Sequence, residues 1–190
     1  MAKKEAIKEE KSFPELLEAL KSKDDTERYG SFVVLLGISQ EKPETLYPHW
    51  DYLASMLDSP NAYQKLIAVR LLANITLFDT ENRFEKIFNK YYDLINDSVI
   101  VAGHVTANSG SIARAKPKLQ AEITNRLLNI DRTTQKHKDL IKAGAIESFG
   151  EYFEESKDKE KIMEFVRQQL DGESPKTRKI AREFLKKWGD

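Results

Sequence analysis

The chain has 190 residues, which is long enough to bury a sizeable core in one domain. Lysine and arginine (31) balance aspartate and glutamate (31), so the overall charge gives no pull towards nucleic acid or an acidic membrane. The absence of cysteine excludes disulfides, thiolate metal sites and cysteine nucleophiles. The first residues, MAKKEAIKEEKS, contain no apolar signal region, and no stretch of the sequence is apolar enough to span a membrane. We therefore expect a soluble, cytoplasmic protein with no membrane contact.

From the amino end, we predict a flexible segment over residues 1–11 and helices over the rest of the chain. Apolar residues recur at intervals of three and four in FPELLEAL, YDLIND, IMEFVRQQL and TRKIAREFLKKW, which is typical of amphipathic helices. No strand-like alternation persists, so the predicted fold class is all-α. Three sites pair a serine with a glutamate or a proline at the spacing of a helix start. These predicted starts are Ser12 with Glu15, Ser59-Pro60 and Ser174-Pro175.

A triplet of large apolar residues recurs along the chain with a period of 35 to 40 residues. Arg126 interrupts the pattern, but Leu127 can take its place on the same side of a helix. The five triplets are Phe13/Leu16/Leu20, Trp50/Leu53/Leu57, Phe88/Tyr91/Ile95, Ile123/Arg126/Ile130 and Met163/Val166/Leu170. We call the helix that carries each triplet the A helix of its repeat.

A second pattern follows the A helices with the same period. An aspartate closes each of the last four, a basic residue comes seven residues later, and a small or apolar residue lies three further on. These sets are Asp58/Lys65/Ala68, Asp97/His104/Ala107, Asp131/Lys138/Ile141 and Asp171/Arg178/Ala181, with Arg28/Ser31 in the first repeat. The basic residues would lie on a second helix, the B helix, so each repeat is a predicted helical hairpin that stacks on its neighbours. The predicted repeats are 12–42, 43–81, 82–117, 118–156 and 157–190, which form a single domain over 12–190.

Segments such as LDSPNAYQKLIAVRLLANI and LDGESPKTRKIAREFL, together with the period, resemble the HEAT-repeat family over roughly residues 12–188. The resemblance implies a right-handed α-α superhelix, an armadillo-type α-solenoid, of about five HEAT-like hairpins. It also implies that the B helices line the concave face and that the aspartate and basic positions form a hydrogen-bonded ladder between neighbouring repeats. The ladder residues would be Asp58, Lys65, Asp97, Asp131, Lys138, Asp171 and Arg178.

Motifs of familiar enzymes are missing from the sequence. No Walker, Rossmann or GxSxG pattern occurs, and His49, His104 and His137 belong to no HExxH or His-Glu motif. We therefore expect no catalytic residues, no metal and no cofactor. Trp50 takes the repeat position of Phe13, which predicts a core residue rather than a platform for base stacking.

Charge is uneven along the chain although it cancels overall. Residues 111–142 carry eight cations and three acids, a net charge of +5, whereas residues 143–160 carry a net charge of −4. Because the repeat is clear and catalytic motifs are missing, the main hypothesis is a non-enzymatic scaffold or adaptor that binds a protein partner through the concave B-helix face. Its candidate partner-binding residues are His104, Asn108, Ser111, Arg114, Lys142, Arg182 and Lys186.

Two alternatives stay open at this point. A nucleic-acid binder would use the basic C-terminal B helices, and certain DNA glycosylases are HEAT-like solenoids with a basic groove and with Trp and Asp at the lesion. This chain departs from that pattern, because Trp188 is nearly terminal and the overall charge is neutral. A regulatory or lyase-like subunit that acts on an enzyme partner, such as a tetrapyrrole-bearing one, follows from analogy of fold alone.

The segment GHVTANSGSIARAK, residues 103–116, differs from its neighbours in its small and polar residues. No strand precedes it, so we predict the third B helix rather than a phosphate-binding loop. Gly110 and Gly144 take the same position in adjacent repeats, which predicts a close approach of two B helices. The residues expected to leave a shallow notch beside Arg114 are Asn108, Ser109 and Ser111.

Overall fold

The computed structural model describes residues 11–189, and every regular element in that range is helical. The α-helices are α1 (Phe13–Ala19), α2 (Asp25–Glu41), α3 (Pro43–Leu46), α4 (Trp50–Ser55), α5 (Ala62–Ile75), α6 (Arg83–Asp93), α7 (Val99–Ala115), α8 (Gln120–Leu128), α9 (Lys138–Tyr152), α10 (Lys159–Gln168) and α11 (Pro175–Trp188). Short 3₁₀ turns lie at Tyr47–His49, Met56–Asp58, Thr76–Phe78, Leu94–Asn96, Pro117–Leu119, Ile130–Arg132 and Gln169–Asp171. The predicted all-α fold is therefore confirmed. None of the described helices has the length and apolarity needed to cross a membrane.

The helices alternate between the two roles that the repeat pattern predicts. The A helices are α1, α4, α6, α8 and α10, and the B helices are α2, α5, α7, α9 and α11. Each predicted repeat range holds one A helix and one B helix, and the range 43–81 also holds the four-residue α3, which has neither role. The predicted flexible segment, apart from Lys11, lies outside the described residues, and Lys11 itself pairs with Glu27 at 2.6 Å.

Two of the three predicted helix starts are capped at the expected residues. Ser12 and Glu15 form the capping box of α1, with the Ser12 backbone N–H donating to Glu15 Oε2 at 2.7 Å. Ser174 caps α11 as expected. The prediction at residues 59–60 is wrong, because α5 begins later, after Asn61, whose side-chain oxygen accepts a hydrogen bond from the backbone N–H of Tyr63.

The apolar triplets form the core between the A and B helices. Trp50 is only 1% exposed, and Leu127 is fully buried where Arg126 interrupts the pattern. Fully burying a side chain of this kind contributes about 1.5–3 kcal/mol, and the three apolar triplet residues that are only partly buried contribute less. Trp50 is a core residue, as its repeat position predicts.

The B helices form a tightly packed row along the solenoid. Each B helix packs directly on the next, α2 on α5, α5 on α7, α7 on α9 and α9 on α11, whereas successive A helices contact each other much less. The B helices are therefore the more closely packed of the two rows.

The closest contact between B helices is the α7–α9 seam. A Cβ atom on Gly144 would lie 2.9 Å from the backbone nitrogen of Ala107, and one on Gly110 would lie 2.9 Å from Cα of Ser148. The Ser148 hydroxyl donates to the carbonyl of Thr106 at 2.6 Å and accepts from the N–H of Gly110 at 2.9 Å. It therefore bridges one turn of α7, and the predicted close approach of the two helices is confirmed.

Candidate functional site

The inner face is the side of the B helices that neither the A helices nor the adjacent B helices cover. Residues three and four apart share one side of a helix, so each B helix contributes a line of side chains to this face. All members of the face are exposed or half-buried. They are Tyr29 and Val33 of α2, Tyr63, Leu66 and Arg70 of α5, Ile100, His104, Ala107, Ser111 and Arg114 of α7, Leu140, Glu147 and Glu151 of α9, and Lys176 of α11.

Large apolar side chains are exposed on the B-helix side of the molecule. Within residues 11–189, every large hydrophobic residue that is clearly exposed belongs to a B helix or to the 3₁₀ turn after α5. Tyr63, Ile100 and Leu140 are 57%, 55% and 52% exposed and lie in the first turn of α5, α7 and α9. They form an apolar row across three neighbouring repeats. Large apolar side chains left exposed on one side of a protein are typical of interaction sites.

Three of the predicted partner-binding residues on α7 lie on the inner face. His104 and Ser111 are half-buried there, and Arg114 is exposed. Arg114 Nε lies 3.7 Å from Glu151 Oε2 of α9, a loose pair between exposed groups. Such pairs contribute little stability and leave the guanidinium accessible.

Asn108 and Ser109 do not form the predicted notch. The amide nitrogen of Asn108 is buried beside Tyr91, without a hydrogen-bond partner among the described residues. Ser109 is fully buried and accepts a hydrogen bond from the Tyr92 hydroxyl at 3.2 Å. Both side chains face the interior because their positions on α7 lie away from the open side.

Lys142 is not available to a partner, contrary to expectation. Its side chain is buried, and its Nζ lies 2.8 Å from Asp131 Oδ1 and 3.5 Å from Asp139 Oδ1. The ammonium group therefore ties α9 to the turn that precedes it, because a buried cation needs its carboxylate partners.

Arg182 and Lys186 lie at the open end of the stack rather than on the inner face. Thr177 and Phe184 define the side of α11 that faces α9: the Thr177 hydroxyl donates to a carbonyl of α9, and the Phe184 ring lies against Gly150. At 100° per residue, Arg182 and Lys186 project from the opposite side of the helix. Both are exposed.

The predicted ladder residues meet across a repeat boundary at one step. Lys65 of α5 forms an ion pair with Asp97, which lies in the turn of the next repeat. Asp58 pairs instead with Lys90 of α6 at 2.7 Å. The partner of Asp58 is thus on an A helix. Lys65 is not available to Asp58, because its side chain extends towards Asp97 of the following repeat.

The remaining ladder positions act within their own repeat. Lys138 donates to the backbone carbonyl of Asp131 at 2.7 Å, and Arg178 donates to that of Gly172 at 2.7 Å. Asp171 is exposed and has no hydrogen bond or ion pair inside the described range. The basic residues of these two repeats hold the turn between A and B helices, and no continuous ladder forms.

The centre of the inner face is cationic. The segments that form α5 and α7 contain no aspartate or glutamate. The Arg70 guanidinium lies 5.3 Å from the centre of the Phe32 ring. Burial, and then the positive charges of Arg70 and Lys176, lower the pKa of His104 below its usual 6.5. His104 is therefore a neutral hydrogen-bonding group at neutral pH, within the field of two cations.

A buried charged cluster holds the third repeat to the second. Lys116, just after α7, places its Nζ 2.9 Å from Asp79 Oδ2, and the Asp79 carboxylate is fully buried. The Tyr47 hydroxyl and the backbone N–H groups of Arg83 and Phe84 also donate to this carboxylate, each at 2.8 Å. Asp79 thus caps the start of α6 and anchors the end of α7.

This cluster predicts a loss of stability in acid. Burial alone would raise the pKa of Asp79, but the hydrogen bonds from Lys116 and from two backbone N–H groups hold it below its ordinary 3.8. The stabilisation is therefore complete above about pH 4 and is lost as the pH falls through the lower pKa of the folded state. Urea unfolding between about pH 6 and about pH 2 should show this decline, and Asp79→Asn should flatten it. An unchanged slope in Asp79→Asn would assign the acid dependence to other carboxylates.

The histidines and tryptophans offer no convergent site. No cluster of histidine, aspartate and glutamate suited to a metal ion occurs among residues 11–189. His49 packs against Phe13, with 5.3 Å between ring centroids, far from His104 on the inner face. Trp188 packs on Phe153 at 5.2 Å. Neither tryptophan stands free on the inner face as a surface on which a base could stack.

These features define the chain as an all-α solenoid of stacked helical hairpins, of the armadillo/HEAT-like helical-repeat class. Among solved structures, it is similar to a designed armadillo repeat protein, with 19% identity and a TM-score of 0.59 over 90% of this chain and 79% of that chain. It also aligns with an engineered protein at 18% identity and a TM-score of 0.49, over 90% and 76% of the two chains. No family model matches the chain, and no curated protein matches it. At these identities, the likeness to the armadillo design shows the fold alone.

Several inner-face residues were missed by the sequence interpretation. Tyr63, Ile100 and Leu140 are the second or third residues of their helices and lie on the side of each B helix away from its buried residues. An apolar residue out of phase with the core stripe was the signal that could have found them. The signal for Arg70 was its place on a helix that carries no acid.

Proposed function

We propose that this protein is a non-enzymatic α-solenoid that binds an extended segment of a partner protein along its inner face. The observation that carries the proposal is that six of the eight clearly exposed large apolar residues within residues 11–189 lie on B helices, whereas Leu77 and Phe78 lie in the turn after α5. Rigid repeats present equivalent positions at regular spacing, and an extended chain can contact one position per repeat. The apolar row of Tyr63, Ile100 and Leu140 has this arrangement.

The nucleic-acid alternative receives less support from the charges. Lys142 is buried in ion pairs, and Arg182 and Lys186 face the open end. The inner surface of α9 carries Glu147 and Glu151, which would repel a phosphate chain that follows the inner face. Lys142, Arg182 and Lys186 therefore do not form a continuous basic surface along the C-terminal repeats.

Display selection with random peptides of about 12 residues tests the proposal directly. We expect the selected peptides to bind the wild-type chain and to lose about tenfold in affinity on Tyr63→Ser and on Ile100→Ser, because each change removes an exposed apolar contact. Fluorescence anisotropy measures the affinities. Both residues are more than half exposed, so the fold should be retained, which circular dichroism checks.

Val34→Ser is the matched control. Val34 is 48% exposed but lies on the side of α2 opposite Phe32, which contacts α5, and thus at the amino-terminal end of the stack. Its substitution should leave peptide affinity unchanged. Equal losses in Val34→Ser and Tyr63→Ser would contradict an inner-face site, as would tight salt-dependent binding of duplex DNA with no peptide selected.

A further inference from the structure

A groove between α2 and α5 combines apolar and cationic groups. It has a volume of about 310 Å³ and is lined by aromatic and aliphatic side chains, by Arg28 and Arg70, and by Asp25, whose carboxylate pairs with Arg28. The two guanidinium groups lie over aromatic rings, Arg28 at 5.4 Å from the Tyr63 centroid and Arg70 at 5.3 Å from that of Phe32. The groove thus combines apolar surface, which suits an aromatic or aliphatic side chain, with cationic groups, which suit an anion next to that side chain.

The two arginines differ in what their donors already contact. Arg28 donates to the backbone carbonyl of Ser22 at 2.8 Å and to the carboxylate of Asp25. Arg70 has no hydrogen-bond acceptor and no ion-pair partner within residues 11–189. Its guanidinium lies over the Phe32 ring, and its N–H groups make no hydrogen bond to these residues. A carboxylate can accept two parallel hydrogen bonds from such a planar guanidinium group.

The surroundings of Arg70 strengthen the preference for negative charge. His104 of α7 and Lys176 of α11 belong to the same face, and α5 and α7 contribute no acid. Asp25 of α2, the acid in the groove lining, is already paired with Arg28. On α9, by contrast, Glu147 and Glu151 give the inner face a negative charge. A single carboxylate beside Arg70 would be attracted by that guanidinium and by Lys176. A continuous polyanion along the inner face would also be repelled by the two glutamates.

We propose that the α2–α5 groove is the subsite in which the inner face recognises an acidic residue flanked by aromatic or aliphatic residues in an extended segment of a partner protein. The apolar neighbours of the acid contact Tyr29, Tyr63 and Leu66, and its carboxylate accepts from Arg70. This assignment rests on the proposed function, since it names the chemistry of the segment that the inner face binds.

The same selected peptides test the assignment. We expect aspartate or glutamate beside Phe, Tyr or Leu to be enriched among them. Arg70→Gln should weaken a selected peptide about tenfold, as should replacing its acid by the matching amide, and combining the two changes should add little further loss. Arg182→Gln, an exposed cation at the open end, is the control and should leave the affinity unchanged.

Three outcomes would overturn the subsite. They are selected peptides without acidic enrichment, equal effects of Arg70→Gln and Arg182→Gln, and displacement of the peptide by an oligothymidylate in an Arg70-dependent manner, which would indicate a phosphate chain instead. Peptides that depend on Tyr63 and Ile100 but not on Arg70 would refute the subsite and leave the proposed function standing. If no selected peptide depends on Tyr63 or Ile100, the proposed function itself fails.

Discussion

Replacing Lys116 by methionine is expected to lower the free energy of unfolding by about 3 kcal/mol, because it leaves the buried Asp79 carboxylate without its counter-ion. The carboxylate retains the Tyr47 hydroxyl and two backbone N–H donors, so the loss should fall at the lower end of the range for broken buried pairs. Urea unfolding with a common m-value measures the change.

A double-mutant cycle separates the ion pair from the other roles of Asp79. Asp79→Asn also weakens the cap of α6, so the double variant Lys116→Met/Asp79→Asn should lose less than the sum of the single losses. Lys118→Met, at an exposed lysine two residues away, should change stability by less than about 0.5 kcal/mol. Equal losses at Lys116 and Lys118, or strict additivity in the cycle, would show that the buried pair is not what joins the second and third repeats.

Replacing Gly144 by alanine is expected to cost about 2 kcal/mol, although alanine is the better helix former. The new Cβ would lie 2.9 Å from the backbone nitrogen of Ala107 and 2.7 Å from Thr106 Oγ1, so α9 must move away from α7. Overpacking of this kind costs about 1–3 kcal/mol, and the shift also strains the bridge that Ser148 makes to Thr106 and Gly110. Chemical unfolding measures the loss, and hydrogen exchange should show faster opening at the α7–α9 seam.

Gly103→Ala provides a control with the opposite expected sign. A Cβ at Gly103, on the same helix α7, meets nothing within 4 Å. Alanine there should stabilise the chain by about 0.5–1 kcal/mol, because it lowers the backbone entropy lost on folding. If Gly144→Ala stabilises the chain as Gly103→Ala does, the close approach of the two helices does not constrain the fold.

The seam also bears on the proposed binding surface. Ile100 begins α7 and Leu140 begins α9, so the distance between these two members of the apolar row depends on how tightly the helices pack. A fixed distance between repeats preorganises the inner face for one register of a bound segment. A seam loosened by Gly144→Ala should therefore weaken peptide binding as well as stability.

Much of the fold follows from local patterns in the sequence. The apolar triplets locate the A helices, the small-residue positions Ala68, Ala107 and Ala181 lie on B helices, and Gly110 and Gly144 mark the close seam. These inferences succeed because helix periodicity and packing volume are encoded in residues a few positions apart. The repeat then determines which helix is adjacent to which.

The candidate site depended on information that no local pattern contains. Lys142 and Arg182 look alike in sequence, yet one is buried in ion pairs and the other lies at the open end of the stack. The partners of Lys65 and Lys116 are more than thirty residues away. Which side of a B helix is open is decided by neighbours that arrive from other repeats.

The sequence by itself therefore determined the class of architecture, the order of the hairpins and at least one core residue in every A helix, since all of these arise from the spacing of apolar side chains along helices. Only the tertiary structure decided which charged side chains are buried, which form ion pairs and which, like Arg70, lie on the inner face beside Tyr63. The physical reason is that a long cation on an amphipathic helix can point to several environments, and the desolvation and pairing that choose among them depend on contacts between repeats.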